Sequence, residues 1–241
     1  MDGKFPELSD GGWKARAREV LGQALGFREC PGPVLDELVD QGHIHHLARG
    51  AYLNRRGDPV RYVSMVVHGV LEGSTVHRDG QRHLLGLLLP GAMNALMSVV
   101  DDLAASHDLI ARENCAVLRI PIETLRNLRE REISVVLACE RQCVFRGRLL
   151  SLRLAADPAL AVEVRAAAML KMIAALYGRP RGQGVELMVR LSQSDLADWL
   201  GLSRQRMNFA LKQLEAEGII SIQYSGVEIL DLPGLTHRAD S

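Results

Sequence analysis

The stretch LSQSDLADWLGLSRQRMNFALKQLEAEGII, residues 191–220, leaves little freedom in how it folds. Ser192 is followed three residues on by Asp195, a capping box with the shorter acid. Leu196, Trp199 and Leu200 then share one face of a short helix. Gly201 can take the left-handed backbone that ends such a helix, and Ser203 is a natural N-cap for the next. In that second helix Met207, Ala210, Leu211 and Leu214 recur at i, i+3, i+4 and i+7. At about 100° per residue, Gln205, Phe209 and Lys212 lie opposite this stripe, flanked by Arg206 and Asn208, with Arg204 in the first turn. Gly218 closes the helix, and IISIQYSGVEIL alternates Ile220/Ile222 and Val227/Ile229 around a Tyr-Ser-Gly turn. Helix, tight turn, amphipathic helix and hairpin together predict a winged helix-turn-helix.

A helix of this kind fits the major groove of B-DNA, where base edges need donors near the helix N-terminus. Between Ser203 and Gln213 the cations Arg204, Arg206 and Lys212 meet no acid. Arg204 is the candidate for a guanine contact, and Asn208 or Gln205 for adenine. Arg206 and Lys212 suit phosphates. Phe209 has two readings, a thymine methyl contact or packing against its own domain. Ser192 and Ser203, which cap the two helices, complete the candidate DNA-binding set.

Upstream, residues 44–119 read as short strands with glycine at 50, 57, 69, 73, 80, 86 and 91. Turn signals Gly57-Asp58-Pro59, Asp79-Gly80 and Pro90-Gly91 separate the apolar runs, predicting a β-barrel or β-roll. WKARAREVLGQALGF and PVLDELVDQG before it have helical spacing, and Pro121 suits a helix's first turn. Residues 133–154 predict one helix of about 33 Å. Its apolar stripe, Ile133, Val136, Cys143, Leu150 and Leu154, is broken by Glu140 and Gly147 and suggests a partner helix. Asp157-Pro158 ends that run, a further helix follows, RPRGQG reads as a loop, and the final segment starts near Glu186. The chain is expected to divide into an effector domain (1–128), a central dimerisation helix (129–157) and a DNA-binding domain (158–241).

Twenty-nine basic residues balance 29 acidic ones, so nucleic-acid affinity rests on a local basic face. No run of about 18 apolar residues suggests a membrane span. There is no signal-peptide pattern, and the four cysteines (Cys30, Cys115, Cys139, Cys143) are scattered, which together favour a reducing, cytoplasmic setting. No nucleophile elbow, P-loop or HExxH pair appears, so an enzyme is not expected.

The stretch at 191–220, together with RRGDPVRYVSMVVHGVLEGS and DGQRHLLGLLLPGA, resembles the Crp/Fnr superfamily of bacterial transcription regulators. The resemblance implies an α+β chain with an N-terminal, cyclic-nucleotide-binding-like β-roll, a long central helix and a C-terminal winged helix-turn-helix. It also implies a homodimer on an inverted repeat of double-stranded DNA, with RNA polymerase as a partner if the protein activates. Members that bind cyclic AMP carry a Gly-Glu pair and an Arg-Ser or Arg-Thr pair. Here those positions read Gly91-Ala92 and Ala105-Ser106, with Asp101, Asp102 and Asp108 nearby. A buried phosphate lacking its cation is heavily penalised, so cyclic AMP in the usual mode is not expected and the cofactor stays unassigned. The dispersed cysteines do not match an iron–sulfur ligand set. Cys139 and Cys143, at i and i+4, leave a redox role open. His43, His45 and His46, with His68, His77, His83 and His107, leave haem or metal sensing open without a motif, and no metal site is assigned. The alternative from another class is a small-molecule-binding regulatory module that acts through protein contacts.

Overall fold

The computed structural model describes residues 6–76, 82–154, 161–182, 184–187, 191–223 and 226–241. The turn signals Asp79-Gly80, Asp157-Pro158 and Tyr224-Ser225, and His77, lie outside them, as do the side chains of His83 and Leu154. Two compact units are present, Met1–Arg146 and Gly147–Ser241.

Among the described residues of the first unit two helices, α1 (Asp10–Gln23) and α2 (Gly32–Asp40), precede eight strands. One antiparallel sheet runs β1 (His43–Leu47), β8 (Cys115–Pro121), β3 (Tyr62–His68), β6 (Met93–Asn94). The other runs β2 (Tyr52–Asn54), β7 (Asp108–Ala111), β4 (Leu71–Val76), β5 (Arg82–Leu88). This is the β-roll that the glycine punctuation predicts. Successive side chains on a strand face opposite sides, so a strand buried on both reads as an unbroken apolar run. YVSMVVH of β3 is such a strand. Val63, Met65 and Val67 join the helix-side core with Trp13, Leu21, Phe27 and Leu38, while Val66 joins a second core with Leu71, Leu109 and Val117. Cys115 and Val117 of β8 lie in the second core, and Ala116, Leu118 and Ile120 in the first.

Helix α3 (Leu96–Asp101) interrupts the strands, and its C-terminal carbonyls are capped from α4 (Ile122–Arg131). Arg126 donates to the Ser98 and Val99 carbonyls, each at 3.2 Å, and pairs with Asp102 at 2.7 Å and Glu123 at 2.8 Å. Pro121 stands at the N-cap of α4, one residue before the first turn.

Helix α5 (Ile133–Leu154) has the predicted bounds, but the sequence stripe is only half of its story. Its docked face is Val135, Ala138, Cys139, Gln142 and Phe145, all buried against the first unit. Ile133, Leu137, Val144 and Leu150 are exposed, as is Cys143. The helix approaches Gly26 so closely that a Cβ there would lie 2.6 Å from the Ala138 Cα. Gln142, only 3% exposed, holds the packing together through its amide. Its Nε2 donates to Gly91 O at 3.0 Å and Leu25 O at 3.3 Å, and its Oε1 accepts from Met93 N at 3.4 Å.

The second unit comprises α6 (Val162–Tyr177), α7 (Gln193–Leu200), α8 (Arg204–Ala216), α9 (Leu232–Ala239) and a four-stranded sheet. The sheet order is β11 (Ile220–Gln223), β12 (Gly226–Ile229), β10 (Gly184–Leu187), β9 (Gly178–Arg181). Of the stretch RPRGQG, expected to be a loop, Arg179, Pro180 and Arg181 lie instead in strand β9 and Gly184 opens β10, with Pro180 opposite Val185. β9 is an edge strand, where a proline lacking its N–H is tolerated. Helix α9 follows the wing, capped by Asp231, whose side chain accepts from Gly234 N at 3.0 Å.

Candidate nucleic-acid interface

Helices α7 and α8 are built by their caps. Ser192 Oγ accepts from Asp195 N at 3.2 Å, and Asp195 Oδ2 accepts from Ser192 N at 2.9 Å, closing the predicted capping box. Gly201 ends α7 at φ 64°, ψ 35°, a left-handed conformation in which a Cβ would be strained. Ser203 Oγ then accepts from Arg206 N at 3.3 Å and starts α8. From α6, Arg165 Nη2 donates to Leu200 O at 3.1 Å, satisfying a carbonyl that α7 leaves open at its end.

The stripe Met207, Ala210, Leu211 and Leu214 is wholly buried. Burial of that face fixes the rotation of α8 and turns Arg204, Gln205, Arg206, Phe209 and Lys212 outward, all exposed. Phe209 is 58% exposed, so its ring does not pack into its own core. Two of the cations sit in the first turn of α8, where the helix dipole is already positive. Such placement is unfavourable by roughly 0.3–1 kcal/mol per cation in the free protein. A rule of local stability broken at an exposed site marks a surface shaped for an anion.

Asn208 departs from the simple picture. It is half-buried, and its Nδ2 donates to Oε1 of Gln193, the first residue of α7, at 2.7 Å. Gln193 was not a candidate on sequence grounds, because a pairing across 15 residues and a turn leaves no periodic signal. The wing is joined to α8 by Glu215, whose Oε1 accepts from Ile222 N at 2.6 Å. Arg181 and Glu228 pair across the sheet at 3.1 Å.

In the first unit the positions singled out for an effector have other occupations. Ala92 is buried in the apolar core with Leu47, Val66 and Leu88. Ala105 is tied into the 55–58 turn, its carbonyl accepting from Gly57 N at 2.8 Å and its N–H donating to Asp58 O at 2.9 Å. His43 lies edge-on to Tyr62 and His46 edge-on to Trp13, both with centroids 5.3 Å apart. Burial holds His43, His45, His68 and His107 below the ordinary imidazole range. Among the described residues no group of three His, Cys, Asp or Glu side chains could hold a metal ion. All four cysteines are free thiols. Desolvation raises each, Cys115 to about 11 and Cys139 to about 12, which disfavours the reactive thiolate. No helix among the described residues is long and apolar enough to cross a membrane.

Comparison with known proteins matches one family model within each unit. Residues 44–132 match the cyclic nucleotide-binding domain, and residues 164–238 the Crp-like helix-turn-helix domain. The transcriptional regulatory protein btr of Bordetella pertussis is 26% identical over 214 residues, 83% of this chain and 82% of that protein. The transcriptional activator protein anr of Pseudomonas aeruginosa is 27% identical over 205 residues, 82% of this chain and 80% of that one. The solved structure of FixK2 from Bradyrhizobium japonicum shares the fold with a TM-score of 0.61 at 17% identity, covering 81% of this chain and 96% of FixK2. A β-roll of the nucleotide-binding type followed by a capped helix-turn-helix and wing, in the order these regulators share, makes the chain a member of the Crp/Fnr superfamily of transcriptional regulators.

Proposed function

We propose that the protein binds double-stranded DNA as a homodimer at an inverted repeat and regulates transcription in the cytoplasm by binding rather than by turnover. The observation that carries this reading is the outward face of α8, where Arg204, Gln205, Arg206, Phe209 and Lys212 are exposed on a helix whose rotation is locked by a buried stripe. Arg204 is assigned to guanine, Asn208 or Gln205 to adenine, Phe209 to a thymine methyl, and Arg206 and Lys212 to phosphate. Ser192 and Ser203 serve the same surface by capping its helices. The exposed apolar face of α5 supports a second copy as its partner. A twofold pair would set half-site centres roughly 34–36 Å apart. RNA polymerase is the further partner if the protein activates.

A binding-site selection followed by shift assays over a range of salt tests the reading. An inverted repeat whose affinity falls steeply with salt is the expected result. Binding indifferent to both sequence and salt would leave the protein-contact alternative in possession. The effector is not cyclic AMP in the usual mode, since Ala92 and Ala105 offer neither a carboxylate for a ribose nor a cation for a phosphate. Calorimetry that finds micromolar cyclic AMP binding overturns that part.

A further inference from the structure

We propose that Gln193 is a positioning residue for base recognition, holding the Asn208 carboxamide in the orientation that matches an adenine edge. The inference rests on the DNA-reading role proposed above. Adenine presents a ring-nitrogen acceptor beside an amino donor in the major groove, and a carboxamide matches it only with its N–H and its oxygen on the correct sides. An unrestrained carboxamide turns over readily and presents the two in either order. Asn208 is not unrestrained. Its Nδ2 donates to Gln193 Oε1 at 2.7 Å, which places the nitrogen on the side of Gln193. An Asn amide has two N–H groups and an oxygen. One N–H is spent on Gln193, and the remaining N–H and Oδ1 are the pair that adenine requires.

Gln193 is itself well placed to act as a fixed reference. It is the first residue of α7, inside the Ser192–Asp195 capping box, so its backbone is held on both sides. The contact brings a residue of the first helix into the specificity of the second. Holding the reading group in place before DNA arrives lowers the ordering cost of recognition.

The test is a binding-site selection with the whole chain as wild type, Asn208→Ala, Gln193→Ala and Gln193→Glu, each assayed again over a salt series. Asn208→Ala should abolish the adenine preference at one position of each half-site. Gln193→Ala leaves Asn208 in place, yet should lower discrimination at that same position by about fivefold or more, with other positions and the salt slope unchanged. Gln193→Glu keeps an acceptor for Nδ2, so it should retain the adenine preference while its charge weakens all sequences alike. If Gln193→Ala keeps the preference, the proposal fails; it fails too if the variant weakens every sequence alike with the preference intact, which would put Gln193 on the backbone of the DNA. A wild type that selects a defined site while both Gln193 variants keep its preference overturns this inference alone. A wild type that selects no site overturns the DNA-reading role with it.

Discussion

Helices α5 and α8 are built on the same plan and left with opposite surfaces. Each buries one stripe, Val135, Ala138, Cys139, Gln142 and Phe145 in α5, and Met207, Ala210, Leu211 and Leu214 in α8. The large apolar side chains left exposed on α5, among the described residues, are Ile133, Leu137, Val144 and Leu150, while the outward face of α8 from Arg204 to Lys212 carries three cations, a glutamine and a phenylalanine. An exposed apolar row gains by meeting another apolar row. A cationic row at a helix N-terminus gains by meeting a polyanion. Buried stripes say how a helix is held; the exposed rows say what it is for. The contrast would be weakest if either surface tolerated the chemistry of the other.

The largest effect should come from giving α5 a charge. Leu150→Asp places two like charges in the proposed seam, and the chain should run as a monomer by light scattering. Affinity for an inverted repeat should then drop by roughly 10²–10⁴-fold, because the second half-site is no longer bound intramolecularly. A variant that stays dimeric removes the seam from this face.

Next in size is the difference between the two sides of α8. Leu214→Ala, on the buried stripe, should cost about 2–5 kcal/mol of stability. Phe209→Ala, on the outer face, should change stability by no more than about 0.5 kcal/mol while altering base preference. Chemical unfolding of both variants checks the pair, and equal losses would mean that the ring is structural. Within the outer face the expected division is finer. Arg204→Ala should cost about 1–3 kcal/mol of binding and relax one base pair. Lys212→Ala should weaken all sequences and lower the salt slope by about one unit. Selection experiments in which the two variants behave alike would erase the distinction between reading and anchoring.

The smallest effect separates the units by pH. His43, His45, His68 and His107 are held below the ordinary value of about 6.5 by burial. Below that pH the unfolded chain takes up protons that the folded unit resists, so stability falls as the medium is acidified from 7 toward 5. Seven of the eight histidines lie in the first unit and only His237 in the second. The unfolding midpoint should therefore drop further when followed at Trp13, in a Trp199→Phe chain, than when followed at Trp199 in a Trp13→Phe chain. Equal drops would place the titration elsewhere.

How legible these surfaces are in sequence differs in the same way. The α8 stripe is all strongly apolar or small, its caps are serines, and its period is unbroken, so both faces follow from the letters. On α5 the letters single out Ile133, Val136, Cys143 and Leu150, of which Ile133, Cys143 and Leu150 are left exposed and Val136 is half-buried. The docked side contains Ala138, Cys139 and Gln142, whose burial depends on what approaches them and not on their own hydropathy. The RPRGQG hairpin is hidden for a related reason, since proline and glycine signal turns and only the neighbouring strand β10 shows Pro180 to be on an edge. The Gln193–Asn208 bond is a tertiary fact with no local trace at all.

Gln142 carries a consequence for how such a chain can drift over generations. Its amide gives two hydrogens and takes one, to partners in two separate backbone segments. Leucine would fill the space and leave three backbone groups wanting, each at roughly 1–3 kcal/mol. Glutamate could only accept, lysine only donate, and asparagine would fall a methylene short. Almost every single-letter step away from this position is therefore closed to a lineage that must keep the docked face of α5. Yet the residue belongs to neither proposed contact surface and lies buried on the docked side of the helix, so a position of little tolerance can owe everything to its role as a joint.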